Sequence, residues 1–182
     1  MTMVNSVVFS HGKESGPWGS KITAMAQVAR ELQFDVVSVD YRGIDDPLAR
    51  VRKLVELTTS IASTPRASTP RVSTPRASPV FVGSSMGGFV SAAAAAVVRP
   101  RALFLLAPAF YMPGFEEYTP QEVAAPTTIV HGWHDDVVPV ENSVRWAREH
   151  RATLHVLDSN HRLEDQIGTI CVLLREFLKT LA

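Results

Sequence analysis

Short runs of Val, Ile, Leu and Phe recur along this chain, and between them the apolar residues switch to helical spacing. The runs are SVVFS (6–10), DVVSVD (35–40), PVFVG (79–83), ALFLLAP (102–108), TTIVHG (127–132) and TLHVLDS (153–159). A helix is expected from about Trp18 to Gln33, with Ile22, Met25, Ala26, Ala29 and Leu32 on one face. Leu48, Val51, Val55, Thr58 and Ile61 mark a second, with Asp45 or Asp46 as its cap and Pro47 in its first turn. An alanine-rich segment after Ser85, apolar almost all round, reads as a buried third helix ending at Arg99-Pro100. A fourth runs from about Val140 to His150, and Leu163, Ile167, Ile170, Cys171, Leu174, Phe177, Leu178 and Leu181 form the stripe of the last.

Strands that are continuously apolar have no solvent face, and helices between them provide the crossovers that parallel strands need. The pattern predicts an α/β fold, a three-layer sandwich with a six-stranded, mostly parallel sheet and helices on both faces. Right-handed crossovers restrict the winding, and ligands in such sheets sit beyond the carboxyl ends of the strands. Functional residues are therefore expected in the loops that follow strands.

At 182 residues the chain suits one domain, 1–182, with a sizeable core. Lys plus Arg equals Asp plus Glu, 18 each, which gives no reason to expect nucleic acid or an anionic membrane as partner. The single cysteine, Cys171, cannot form an internal disulfide and fits a reducing compartment. The start, MTMVNSVVFSHG, lacks the basic patch and apolar stretch of a signal peptide, and no uncharged apolar run reaches the length of a membrane span. A soluble, cytoplasmic protein is expected; composition does not specify an oligomer.

Residues 63–79 break the pattern: STPRA-STPRV-STPRA-SP repeats a five-residue unit three times. Each copy carries a proline, which blocks a continuous helix or central strand. The tract is read as a low-complexity loop entering the sheet at its amino end, away from the expected site; docking or phosphorylation is the sharper alternative.

Gly83-Ser84-Ser85-Met86-Gly87 is G-x-S-x-G between a strand and a helix. A serine at the tip of such a turn projects its hydroxyl from the top of the sheet, glycines two before and two after let neighbouring backbone pass closely, and the helix start offers free N–H groups to a developing negative charge. Ser85 is the candidate nucleophile; Ser84 precedes the tip by one residue, so its side chain is expected to point elsewhere. A serine hydroxyl needs a base to take its proton, and the base needs a carboxylate to orient it. Of the histidines at 11, 131, 134, 150, 155 and 161, only His161 follows the sixth apolar run at the expected end, in DSNHRLED. HGWHDDVVP (131–139) offers Asp135 and Asp136 as the acid; Asp40 precedes the serine, and Asp158 reads as a strand-end residue.

Together FSHGKESGP (9–17), GSSMGG (83–88), HGWHDDVVP (131–139) and SNHRL (159–163) resemble the α/β-hydrolase superfamily, specifically its small lidless bacterial esterase-like members. The resemblance covers nearly the whole chain except the repeat tract. It implies a triad in the order Ser85, Asp135, His161, with the family's acid falling on Asp135 rather than Asp136. It also implies an oxyanion site made of two backbone N–H groups, one from Met86 and one from the loop after the first strand, assigned to Lys13 with Gly12 as the alternative. His11 then reads as a brace for that loop.

No segment is long enough for a lid domain. The connection 109–126 is expected to form one wall with Phe110, Tyr111, Met112 and Phe115, and Trp18 and Trp133 to line the rest, so that Trp18, Tyr111 and Trp133 become candidate substrate contacts. The expected reaction is hydrolysis of a small carboxylic ester through an acyl-enzyme. Thioesterase, amidase or peptidase chemistry on the same triad and a non-catalytic binding protein are the alternatives. No cofactor is expected, and no metal: there is no Cys-rich or HExxH pattern and no GxGxxG loop.

Overall fold

The computed structural model describes residues 5–63 and 77–181. Its elements run β1 (Ser6–Ser10), α1 (Ser20–Glu31), β2 (Asp35–Val39), α2 (Pro47–Ser63), β3 (Val80–Ser84), α3 (Met86–Val98), β4 (Ala102–Leu106), β5 (Thr127–Gly132), α4 (Val140–His150), β6 (Thr153–Leu157) and α5 (Ile167–Lys179). The strands form one sheet in the order β2-β1-β3-β4-β5-β6, and every neighbouring pair is parallel, so the expected sheet is parallel throughout. Residues 64–76, which hold most of the repeat tract, lie outside the described residues.

Successive residues of a strand face opposite sides of the sheet, which divides each apolar run between two cores. Val7, Phe9, Val80, Val82, Phe104, Leu106 and Val130 meet α1 and α5 through Ile22, Met25, Ala26, Ala29, Ile170, Leu174 and Leu178. Val8, Phe81, Leu103, Leu105 and Ile129 meet the other three helices through Leu54, Val90, Ala94, Trp146 and Ala147. The small side chains of α3 let it settle deep in that second layer; Ala92 and Ala94 are fully buried.

Several boundaries differ from expectation for local reasons. Asp46, not Asp45, caps α2: its Oδ1 accepts from Leu48 N–H at 3.0 Å and its Oδ2 from Ala49 N–H at 3.1 Å. Helix α1 begins at Ser20, leaving Trp18 outside it, and α5 begins at Ile167 because Leu163 adopts a left-handed conformation, φ 54°.

From β1 the chain crosses to one side for β2, then back to the other side for β3. The carboxyl ends of β1 and β3 therefore border the point where strand order reverses, the position at which open parallel sheets bind ligands. Among the described residues no helix is long and apolar enough to cross a membrane.

Candidate active site

Ser85 links β3 to α3 with φ 55° and ψ −121°, a conformation that L-residues rarely adopt. The surroundings hold it there. Its N–H donates to Leu106 O at 2.8 Å, and its carbonyl accepts from the N–H groups of Gly88, Phe89 and Ala109. A β-carbon on Gly83 would lie 2.3 Å from Gly87 O, and one on Gly87 would lie 2.0 Å from Ser10 O, so both flanking positions exclude a side chain.

The structure brings Ser85, His161 and Asp135 together from three loops. His161 Nε2 is 3.0 Å from Ser85 Oγ, and its Nδ1 is 2.7 Å from Asp135 Oδ2. The loops after β5 and β6 that carry Asp135 and His161 are tied by main-chain bonds: Trp133 N–H to Leu157 O and His134 N–H to Ser159 O, both 2.9 Å. Asp135 closes a tight turn with its other oxygen, which accepts from Val137 N–H at 2.9 Å and Val138 N–H at 2.8 Å. Asp136, one residue on, is exposed at the rim. The Ser84 hydroxyl meets Lys21 Nζ at 3.4 Å instead of the histidine.

His131, fully buried at the end of β5, was without a role in the sequence and proves to be a second partner of Asp135. Its Nε2 lies 2.9 Å from Asp135 Oδ2 and 3.0 Å from Val138 O, and its Nδ1 lies 2.7 Å from Ser143 Oγ. Two acceptors at Nε2 require a proton there, so in the neutral ring Nδ1 accepts from the serine hydroxyl. The signal was present as an i, i+4 His–Asp pair straddling a strand end. Burial favours the neutral Asp135 carboxyl, but the histidine N–H groups and the Val138 and Val137 amides outweigh it and hold the group well below the usual carboxylate range.

Lys21 is another residue the sequence did not single out. From the first turn of α1 its ammonium reaches the carbonyl of Arg162, next to His161, as well as Ser84 Oγ. It links the turn that carries Ser85 to the loop that carries His161. Burial lowers its pKa, and Glu164 works in the opposite direction.

Met86 is the first residue of α3, so its N–H has no acceptor within the helix. Among the described residues no backbone carbonyl takes the N–H of Gly12 or Lys13. Gly12 faces the serine: a β-carbon on it would lie 3.4 Å from Ser85 Cβ. His11, buried, accepts from Tyr41 N–H at Nε2 (2.9 Å), which leaves Nδ1 to donate to Gly12 O (2.7 Å). Burial pushes the Tyr41 phenol up to about 12, so it stays neutral beside Ser10 Oγ.

The cleft above these groups has a volume of about 1150 Å³ and takes in Gly12, Lys13, Ser85, Met112, Phe115 and His161. The aromatic wall differs from expectation, for Trp18, Tyr111 and Trp133 are absent from the described residues that line it. Tyr111 sits at φ 50° and is drawn over α4, its hydroxyl donating to Glu149 Oε2 at 2.5 Å with the Arg145 guanidinium 4.0 Å from its ring. Trp18 turns outward beneath Arg30, 5.6 Å from the guanidinium, and Trp133 is exposed. Phe110 is buried on Trp146, with ring centroids 4.8 Å apart.

The fold and this strand–serine–helix turn are those of the α/β hydrolases. The model of the alpha/beta hydrolase family matches residues 7–174, and the chain belongs to that family. Among solved structures it is similar to a protein of the alpha/beta hydrolase superfamily from Xanthomonas campestris pv. campestris, with 28% identity, a TM-score of 0.83 and 99% of each chain covered. Est1E from Butyrivibrio proteoclasticus shares 16% identity at a TM-score of 0.79, over 98% of this chain and 88% of its own. A serine hydrolase without a lid from Xanthomonas campestris shares 20% identity at a TM-score of 0.73, over 99% of this chain and 84% of its own. The last two bear on fold alone. No curated protein matches the sequence.

Proposed function

We propose that this protein is a serine hydrolase that cleaves small carboxylic esters through Ser85, His161 and Asp135. The observation that carries the reading is the single imidazole within hydrogen-bond reach of both partners, 3.0 Å from Ser85 Oγ and 2.7 Å from Asp135 Oδ2.

In this mechanism His161 Nε2 takes the hydroxyl proton as Ser85 Oγ attacks the ester carbonyl. The negative charge on the carbonyl oxygen is met by backbone N–H groups of Met86 and of Lys13 or Gly12. Collapse of the tetrahedral intermediate breaks the bond to the alcohol, which leaves with the proton from His161. Water then attacks the acyl-enzyme by the same path, releasing the acid and restoring the serine. Asp135 remains an anion throughout and stabilises the imidazolium.

The cleft, over which no lid lies among the described residues, suits small substrates in solution. Est1E has been seen with ferulic acid bound, which makes hydroxycinnamate esters one arm of a substrate panel beside short p-nitrophenyl esters, thioesters and amides. Hydrolysis of an ester by the wild type, loss of it in Ser85→Ala and labelling of Ser85 by a fluorophosphonate are the expected results. A folded wild type inert to every ester and to the probe refutes the reading.

A further inference from the structure

Arg50 stands in the first turn of α2 with 1% of its surface exposed, and among the described residues no carboxylate lies within ion-pair reach of it. A buried cation with no carboxylate in contact is unfavourable, Asp45 attracting it only from beyond ion-pair reach, and an apolar side chain would fill the space at lower cost. Its hydrogen bonds go to main-chain carbonyls. Nε donates to Ile44 O at 2.7 Å, and Nη1 is shared between Gly12 O at 3.2 Å and His11 O at 3.4 Å. The Tyr41 ring lies 5.2 Å from the guanidinium carbon and shields it.

The two carbonyls that Nη1 holds belong to consecutive peptide units, His11–Gly12 and Gly12–Lys13. Neither unit is cis. In a planar trans peptide the C=O and N–H point in opposite directions. Drawing both carbonyls toward the buried guanidinium therefore turns the N–H groups of Gly12 and Lys13 away from it. Gly12 itself faces Ser85. A charged donor on a carbonyl also polarises its amide and makes the N–H a stronger donor.

We propose that Arg50 is a positioning residue that builds the β1 half of the oxyanion site, holding the His11 and Gly12 carbonyls so that the following amides meet the charge developing on a substrate at Ser85. The proposal rests on the serine-hydrolase reading above. His11 Nδ1, on the same Gly12 oxygen at 2.7 Å, is the second hold on this peptide.

The test compares wild type, Arg50→Met and Arg50→Lys on p-nitrophenyl acetate and on a matched ester and thionoester pair, with sites counted by fluorophosphonate titration so that misfolded molecules drop out. A thiono sulfur is a weak hydrogen-bond acceptor and gains little from oriented N–H groups. Arg50→Met is expected to lower kcat per titrated site by about 10²-fold, the scale of a lost oxyanion donor. KM should stay within about twofold, and the ester-to-thionoester ratio should shrink. Arg50→Lys should recover part of both. An unchanged ratio, or a loss confined to KM, overturns the proposal. If Arg50→Met yields no folded sites, Arg50→Lys decides on the same ratio, and a value equal to wild type overturns it. Wild-type hydrolysis that disappears in Ser85→Ala sustains the serine-hydrolase reading whatever Arg50 does, whereas an inert wild type removes both.

Discussion

A β-carbon on Gly87 would lie 2.0 Å from the carbonyl oxygen of Ser10. The first turn of α3 is thus seated directly on the end of β1, and the clash would be with backbone that cannot swing aside. Gly87→Ala is expected to destabilise the fold by at least about 1–3 kcal/mol, the range for overpacking a dense interior. Denaturant unfolding measures it, and a midpoint equal to wild type would show that this seating is looser than the structure has it.

The backbone at Ser85 stores strain. At φ 55° and ψ −121° a non-glycine residue carries about 1–3 kcal/mol. Glycine relieves that strain but adds about 0.5–1 kcal/mol of chain entropy to be lost on folding. The balance favours glycine, so Ser85→Gly should melt higher than wild type while having no esterase activity.

Asp135 and Asp136 are adjacent and chemically identical, yet only Asp135 meets His161. Asp135→Asn places an amide where a carboxylate accepts from two imidazoles, and should lower kcat/KM by about 10⁴-fold, as loss of the acid does in other triads. Asp136→Asn, at the exposed rim, should change it by no more than about twofold. Equal losses in the two variants would contradict the assignment.

Two groups buried in or beside the site, His11 and Asp135, are expected to make stability fall in acid. His11 is held below the ordinary histidine value of about 6.5, first by burial and then by Arg50 and Arg42 against the Gly12 and Asp40 contributions. Its neutral form is favoured by folding, so its contribution is present above pH 6.5 and is lost as pH falls below that value toward the folded pKa. Asp135 is likewise depressed, but its contribution begins to fade only below about pH 4, through the range in which unfolded carboxyls protonate. Denaturant unfolding from pH 8 to 4 should show a first decline near pH 6.5 that His11→Asn flattens. A decline that persists unchanged in His11→Asn would assign it elsewhere.

Lys21→Met removes the link between the Arg162 carbonyl and Ser84 Oγ. Hydrogen bonds from a charged donor contribute about 1.5–3 kcal/mol. A loss of that size in unfolding free energy is expected, with partial recovery in Lys21→Arg. A variant as stable as wild type would mean that the ammonium is only resting there.

The sheet could be read from the chain because its four central strands are buried apolar runs and every crossover except that from β4 to β5 carries an α-helix. Ser85 was legible for a related reason, since the glycines that clear its path are local in sequence. The choice between Asp135 and Asp136 was not local: it depends on the turn that directs Val137 and Val138 N–H onto one oxygen. Direction also defeated the reading of the aromatics. Tyr111 and Trp18 have the right chemistry for a pocket, but Glu149, Arg145 and Arg30 draw them elsewhere. Arg50 and Lys21 escaped notice because a cation near a helix start is ordinarily solvated, and only the packing of α1 and α2 against the loops buries Arg50 and partly buries Lys21.

The Asp135 carboxylate is surrounded by four N–H groups, two from imidazoles and two from the main chain. Water has little left to offer it. Its orientation is settled when the polypeptide collapses, so in the proposed mechanism solvent around the carboxylate has almost nothing to rearrange when the neighbouring ring acquires its charge.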